Sequence, residues 1–205
     1  MSRPSSKVSS LSWPGPPFLP LVLTAPPPPV SKKGRDVIGS APTGSGKTAA
    51  FALPILQSLA RDPYGIYALV LSPTRELAYQ IAEQFRALGK TVNLKDAVIV
   101  GGIDMIQQGL ALSKKPHIVV ATPGRLADHI NTNLDNVYLK KLKFLVLDEA
   151  DRMLDPTFAA DLDTILARLP ATRQTLLFSA TMTRSLEKLQ KMAMQDPFVH
   201  HVAQK

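Results

Sequence analysis

The 205-residue sequence contains no cysteine, which excludes disulfide bonds and cysteine-ligated zinc but leaves the redox compartment open. It also has no apolar run long enough to cross a membrane. The first 35 residues contain no acidic residue, and no glutamine precedes Gln57. The hydrophobic fraction of 45% is normal for a globular protein, and the length suits one domain of ordinary size with a tail.

Residues 1–35 form a separate compositional block. They contain nine of the 18 prolines, including Pro26–Pro29, and five of the 24 basic residues. Because proline fixes φ and lacks an N–H group, we predict a disordered, partly polyproline-like tail here and a folded domain over residues 36–205. The other 19 basic residues are balanced by 16 acidic residues, so most of the net charge of +8 belongs to the tail. That charge does not by itself establish an RNA-binding face.

Two targeting functions are alternatives for this block. Phe18–Ala25 is apolar and follows basic residues, as in a signal peptide, but Pro20 interrupts it. The serine-rich, acid-free composition is typical of a mitochondrial presequence, whereas few arginines and many prolines oppose the amphipathic helix of such a segment.

The most informative motif is the run APTGSGKT, which matches the phosphate loop G-x-x-x-x-G-K-[ST] except that alanine occupies the first position. Its glycines allow close approach of backbone N–H groups to phosphate, its lysine adds a charge for the β- and γ-phosphates, and its threonine hydroxyl suits Mg²⁺. A predicted strand at 36–39 precedes the loop, which argues against a simple Gly/Ser turn. The predicted nucleotide-binding residues are Ala41, Pro42, Thr43, Gly44, Ser45, Gly46, Lys47 and Thr48.

Short apolar runs alternate with helical patterns after Asp36, and we therefore predict an α/β fold, a parallel sheet flanked by helices on both faces. The predicted strands that follow the phosphate loop are Tyr67–Leu71, Ala97–Val100, His117–Ala121, Phe144–Leu147 and Thr175–Phe178. The predicted helices are Thr48–Ala60, Arg75–Leu88, Met105–Leu112, Gly124–Ile130, Phe158–Leu169 and Leu186–Met194.

An acidic cluster directly follows the predicted strand Phe144–Leu147. Carboxylates at the carboxyl edge of such a sheet lie where open α/β folds bind ligands. Asp148 suits a Mg²⁺ contact, and Glu149 is placed to deprotonate the attacking water. An acidic helix start is the alternative explanation of this cluster, but the upstream phosphate loop favours the catalytic one.

Three further strand-to-helix junctions have the composition of phosphate sites, because helix N-termini, glycines and arginines present donors there. Together they could follow a nucleic-acid backbone without reading sequence. Ordinary capped connections are the alternative for each junction alone. The candidate RNA-binding residues are Pro73, Thr74, Arg75, Gly101, Gly102, Thr122, Pro123, Gly124 and Arg125.

Asp148-Glu149-Ala150-Asp151 spells DEAD, and from Gly34 to about Lys205 the chain resembles the first RecA-like domain of a DEAD-box ATP-dependent RNA helicase. The motifs PTRELA, GG, TPGR and SAT occur in the family's order, and 62–90 is similar to the nucleolar ribosome-biogenesis branch. The resemblance implies a RecA-like P-loop NTPase fold, with ATP and Mg²⁺ as cofactors and Lys47, Asp148 and Glu149 as catalytic residues.

The resemblance also implies partners and roles outside the nucleotide site. It implies a sequence-independent grip on the RNA backbone, pre-ribosomal particles as partners, no membrane, and a location in the nucleus, within the nucleolus. It implies that Glu76 braces neighbouring loops. It further implies that ATP hydrolysis is coupled to strand separation through Asp151, Ser179, Ala180 and Thr181.

Two departures from the family pattern modify these expectations. The family's adenine-reading Gln precedes the phosphate loop, whereas here the first glutamine is Gln57, so we expect weak discrimination between ATP and GTP. The second RecA-like domain with its arginine fingers is not among these residues, so the isolated chain is expected to be impaired as a helicase. A non-catalytic RNA- or partner-binding fragment is the main alternative, and a metabolic P-loop kinase leaves the RNA-type motifs unexplained.

Overall fold

The computed structural model describes residues 34–40, 45–132, 137–181 and 184–201. The predicted tail, apart from Gly34 and Arg35, therefore lies outside the described residues. The seven strands of the described part are β1 Val37–Ser40, β2 Ala68–Leu71, β3 Asp96–Ile99, β4 Ile118–Ala121, β5 Phe144–Leu147, β6 Gln174–Ser179 and β7 Phe198–His201. The six α-helices are α1 Lys47–Leu59, α2 Arg75–Leu88, α3 Met105–Ser113, α4 Pro123–Thr132, α5 Ala159–Leu166 and α6 Arg184–Ala193.

The strands form one parallel sheet in the spatial order β3-β4-β2-β5-β6-β1-β7. The central strands are buried on both faces, and β2 alternates its side chains between two cores. Ala68 and Val70 pack into one core, whereas Leu69 and Leu71 pack into the other. This is the two-sided burial that near-continuous apolar runs predict.

Helices cover both faces of the sheet. On one face, α1 and α2 pack through Phe51 and Phe85, whose ring centroids lie 6.0 Å apart. On the other face, α4, α5 and α6 contribute Leu126, Leu162 and Leu189 to the second core. The predicted α/β class with helices on both faces is therefore confirmed.

Most predicted element bounds agree with the structure to within one or two residues, but one predicted helix is shorter and one strand was missed. The helix predicted over Phe158–Leu169 is α5, which ends at Leu166, while Phe158 belongs to the 3₁₀ turn Pro156–Phe158. The edge strand β7, which pairs with β1, was missed.

No helix in the described ranges is long and apolar enough to span a membrane.

The parallel arrangement brings the carboxyl ends of all strands to one edge of the sheet, which we call the carboxyl edge. Residues that follow β3, β4 and β2 occupy one half of this edge, and those that follow β5 and β6 occupy the other half, where β1 also ends. The three candidate RNA junctions therefore follow three adjacent strands, and the acidic cluster follows the next strand, β5.

Candidate nucleotide site and nucleic-acid interface

The phosphate loop leads into the N-terminus of α1. Ala41–Gly44 lie outside the described residues. Gly46 has φ of 86° and ψ of 19°, a left-handed conformation that glycine adopts without steric cost. The first turn of α1 has no acidic residue and no side-chain cap, so the positive end of the helix dipole favours an anion at this end of the helix.

The charge of Lys47, at the start of α1, acts on the carboxylate of Asp148, which follows β5. Both are buried, with Asp148 only 3% exposed. Burial raises the pKa of Asp148 to about 6, against the opposing effect of the Lys47 charge. The Asp148 carboxylate Oδ1 accepts a hydrogen bond of 3.1 Å from the Glu149 N–H group, and the Asp148 N–H group donates to the Leu71 carbonyl at 3.0 Å. Asp148 is thus held in one orientation and is largely ionised at neutral pH.

The oxygen atoms on the nucleotide half of the carboxyl edge suit a Mg²⁺ ion that is bound together with nucleotide phosphates. Thr48 and Asp148 supply oxygen donors, which Mg²⁺ prefers, and the buried hydroxyl of Ser45 forms no hydrogen bond with the described residues. Among the described residues, no cluster of three or more His, Cys, Asp or Glu side chains could hold a metal ion alone. Mg²⁺ is usually held by one or two protein carboxylates together with substrate phosphates.

Glu149 has an unusual backbone and a partner that the sequence analysis missed. Its φ is 51°, in the left-handed region that non-glycine residues rarely adopt. Its carboxylate Oε2 accepts a hydrogen bond of 2.9 Å from Arg152 Nη1. The i, i+3 spacing of these opposite charges is the sequence signal that could have indicated the pair.

The residues assigned to coupling lie together. Thr181 Oγ1 donates to Asp151 Oδ2 at 3.1 Å, and Ser179 Oγ donates to the Thr181 carbonyl at 2.6 Å. Ser179 ends β6, and Ala180 lies between the two bonded residues. The acidic cluster that follows β5 is therefore linked directly to the loop that follows β6.

On the other half of the carboxyl edge, the Arg75 side chain lies against the turn at Gly101 and Gly102. Gly102 has φ of +75°, and a Cβ atom at that position would collide with the Arg75 guanidinium. Pro73 precedes the cap residue Thr74, whose Oγ1 accepts a hydrogen bond of 3.3 Å from Leu77 N. The expectation of free N–H groups at this helix start was therefore wrong for one donor.

The bracing role expected of Glu76 stays a prediction. Its side chain is exposed and forms no hydrogen bond or ion pair within the described ranges.

The third junction is tied to the same turn. Arg125 Nη1 donates to the Ile103 carbonyl at 3.2 Å. Thr122 N donates to Ile99 O at 3.0 Å, which connects the end of β4 to the end of β3. Pro123 is the first residue of α4, and Gly124 lies against the side chain of α5 residue Asp161. The two arginines therefore both contact the segment 101–103, Arg75 at Gly102 and Arg125 at Ile103.

The DEAD/DEAH box helicase family model matches residues 27–189 of this chain. The chain belongs to that family. It is 62% identical over 173 residues to the mouse (Mus musculus) protein named "Probable ATP-dependent RNA helicase DDX49", covering 83% of this chain and 36% of the mouse protein. It is 59% identical over 169 residues to the Yarrowia lipolytica protein named "ATP-dependent rRNA helicase RRP3", covering 82% and 35% respectively.

Solved structures of DEAD-box proteins are also similar. The chain aligns with the DEAD box protein from the hyperthermophile Methanococcus jannaschii with a TM-score of 0.75 and 44% identity, covering 82% of this chain and 45% of the other. It aligns with the yeast DEAD-box splicing factor Prp28 with a TM-score of 0.77 and 37% identity, covering 85% and 43%. The RecA-like assignment of the DEAD-box domain is thus confirmed, and the chain spans about a third of the length of the curated relatives it matches.

Proposed function

We propose that this DEAD-box chain is the ATP-binding domain of an ATP-dependent RNA helicase, which binds ATP with Mg²⁺ and the RNA backbone on adjoining halves of one sheet edge. The observation that carries the proposal is the adjacency of the two halves, because β2 and β5 are hydrogen-bonded neighbours and are followed by Pro73 and Asp148 respectively. A change at the nucleotide therefore has a short path to the RNA.

In the nucleotide half, the N-terminus of α1 and Lys47 would bind the phosphates, while Thr48 and Asp148 would hold Mg²⁺. The metal would supply charge neutralisation on the phosphate oxygens. Glu149 would orient and deprotonate the attacking water once its carboxylate leaves Arg152. The Asp151–Thr181 bond would carry the state of this half to the loop that follows β6.

In the RNA half, Arg75, Arg125 and the backbone of 101–103 would contact successive phosphates. Such contacts give affinity that depends on salt and little on sequence. Substrate RNA in ribosome production and a nucleolar location are supported by the similarity to the protein named "ATP-dependent rRNA helicase RRP3". Without a glutamine before the phosphate loop, discrimination between ATP and GTP would be weak.

The nucleotide assignment is tested by replacing Lys47 with alanine. We expect Lys47→Ala to weaken binding of a fluorescent ATP analogue in the presence of Mg²⁺ by about 10–100-fold, as for the loss of a charged hydrogen bond. Lys143→Ala is the matched control, because Lys143 is exposed and precedes β5 at the opposite edge. Equal binding by the Lys47 variant and the control would contradict the assignment.

The RNA assignment is tested with Arg75→Ala and Arg125→Ala. Each should weaken binding to unrelated single-stranded RNAs and lower the salt slope by about 0.7 for the phosphate contact that it removes. Arg168→Ala is the control, since this exposed arginine follows α5 and lies before β6, away from the carboxyl edge. RNA binding without nucleotide binding would instead indicate a non-catalytic RNA-binding fragment.

A further inference from the structure

The carbonyl of Val100 lies just beyond the end of β3, an edge strand that pairs with β4 on one side of the described sheet and with no strand on the other. The bond from Thr122 N to Ile99 O is the last that joins β4 to β3. Val100 is fully buried, and its carbonyl accepts a hydrogen bond of 2.8 Å from Nε2 of Gln108. A helix α3 side chain thus replaces the missing strand partner of this carbonyl.

This bond also fixes the direction of the next N–H group. The Val100 carbonyl and the Gly101 N–H group belong to the same planar trans peptide and point in opposite directions. Because the carbonyl points towards buried Gln108, the Gly101 N–H group points away from it. No described protein atom accepts a hydrogen bond from the N–H groups of Gly101, Gly102 or Ile103.

The two arginines also contact the segment 101–103. Arg125 binds the Ile103 carbonyl at 3.2 Å, and the Arg75 guanidinium covers Gly102. The carbonyls at both ends of the segment are therefore engaged with the protein, while three consecutive N–H groups are left available. Successive unpaired N–H groups next to a left-handed residue form a concave anion site, which suits a phosphate oxygen.

Gln108 itself combines burial with an unmet hydrogen bond. The side chain is 4% exposed, and its Oε1 atom has no partner. A buried polar atom without a partner destabilises the fold. The amide group is thus present at a cost in stability, and within the described residues the one hydrogen bond that it forms is the bond to the Val100 carbonyl.

We propose that Gln108 is a positioning residue of the RNA interface, which holds the Val100–Gly101 peptide so that the Gly101 N–H group faces an RNA phosphate. The proposal rests on the proposed RNA function of this edge. Gln108 would not touch RNA itself and would act through the backbone of 101–103.

The test replaces Gln108 with methionine, which keeps the side-chain length and removes the donor, in the full chain. The matched control is Gln107→Met, the same change at the exposed neighbouring residue. We expect Gln108→Met to weaken binding of a ten-nucleotide polyuridine RNA by about tenfold, the equivalent of one hydrogen bond to a charged group. Binding of a fluorescent ATP analogue should stay unchanged, which a general loss of folding would not allow.

A second measurement uses the unaltered chain, so that the proposal stays testable even where Gln108→Met fails to fold. In ¹H–¹⁵N spectra, the Gly101 amide resonance should shift when the RNA is added. An unshifted Gly101 resonance, or parental RNA affinity in Gln108→Met while Arg125→Ala binds weakly, would overturn the inference and leave the RNA function standing. Parental affinity in both Gln108→Met and Arg125→Ala would overturn the RNA function as well.

Discussion

At the scale of single residues, Glu149 combines backbone strain with a catalytic assignment. A left-handed conformation costs an L-residue about 1–2 kcal/mol, and this conformation directs the Glu149 side chain to Arg152 at 2.9 Å. Strain of this kind persists where the surrounding structure fixes the backbone, and it concentrates at functional sites. Here the neighbouring residues are fixed, because Ala150 N donates to Phe178 O at 2.9 Å.

The strain can be measured by comparing two substitutions at Glu149. Both Glu149→Gly and Glu149→Ala remove the carboxylate, but only glycine adopts φ of 51° freely. We expect the glycine variant to have a free energy of unfolding in urea about 1 kcal/mol above that of the alanine variant.

Asp151, two residues further along the chain, provides the control for this comparison. Asp151 has φ of −58° and ψ of −36°, where alanine is preferred to glycine, so the order of the Asp151→Gly and Asp151→Ala variants should reverse. The same order at both positions would mean that the backbone of Glu149 is not strained.

At the scale of secondary structure elements, the cap of α2 links stability to the candidate interface. Thr74 Oγ1 satisfies the Leu77 N–H group at the helix start, and such caps contribute about 1 kcal/mol. Thr74→Ala should lower the free energy of unfolding in urea by this amount, whereas Thr74→Ser should retain most of it.

Thr91 supplies the control for the cap. It is exposed in a short 3₁₀ turn and its side chain forms no hydrogen bond within the described residues, so Thr91→Ala should change stability little. If the serine variant at Thr74 were as unstable as the alanine variant, the hydroxyl would not be the stabilising group.

The central elements were predictable because burial on both faces leaves a direct mark on the sequence. Phe144–Leu147 was predicted with its observed bounds, as was the helix Arg75–Leu88. Strand β7 was not, because an edge strand needs only one neighbour. Its residues Phe198 and Val199 stay 37% and 43% exposed, and the strand therefore lacks the apolar run of its buried neighbours.

In the candidate site, too, some features were predictable from the sequence and others were not. Spacing in the sequence predicted the phosphate loop, the acidic cluster and the arginine junctions. It did not predict Gln108 as the partner of Val100, since that contact depends on how α3 packs behind β3. It also did not predict that Arg75 would lie against Gly102, which depends on the close approach of two separate loops.

At the scale of the whole molecule, the sheet order would allow the two ligands that we propose to share one domain. Three neighbouring strands lead to the nucleotide half and three to the RNA half, and the boundary lies between β5 and β2. The bond between Thr181 and Asp151 lies within the nucleotide half. The pair β5 and β2, which lead to Asp148 and Pro73, is the shortest connection between the two halves through the sheet.

The charge distribution of the whole chain provides a further test of the interface. Arg3, Lys7, Lys32 and Lys33 lie before Gly34, and no acidic residue accompanies them. We expect a chain that begins at Gly34 to bind single-stranded RNA more weakly than the full chain. Its salt slope should be lower by at most about 3, because each basic side chain that binds a phosphate adds about 0.7 to the slope.

The effects of Arg75→Ala and Arg125→Ala should persist in the chain that begins at Gly34, because these side chains converge on 101–103 and not on the basic block. Affinity is measured over a series of salt concentrations for the full chain, the shortened chain and both variants of each. If shortening the chain abolished the effect of both arginine substitutions, the basic block would be the RNA contact and the carboxyl edge of the sheet would not.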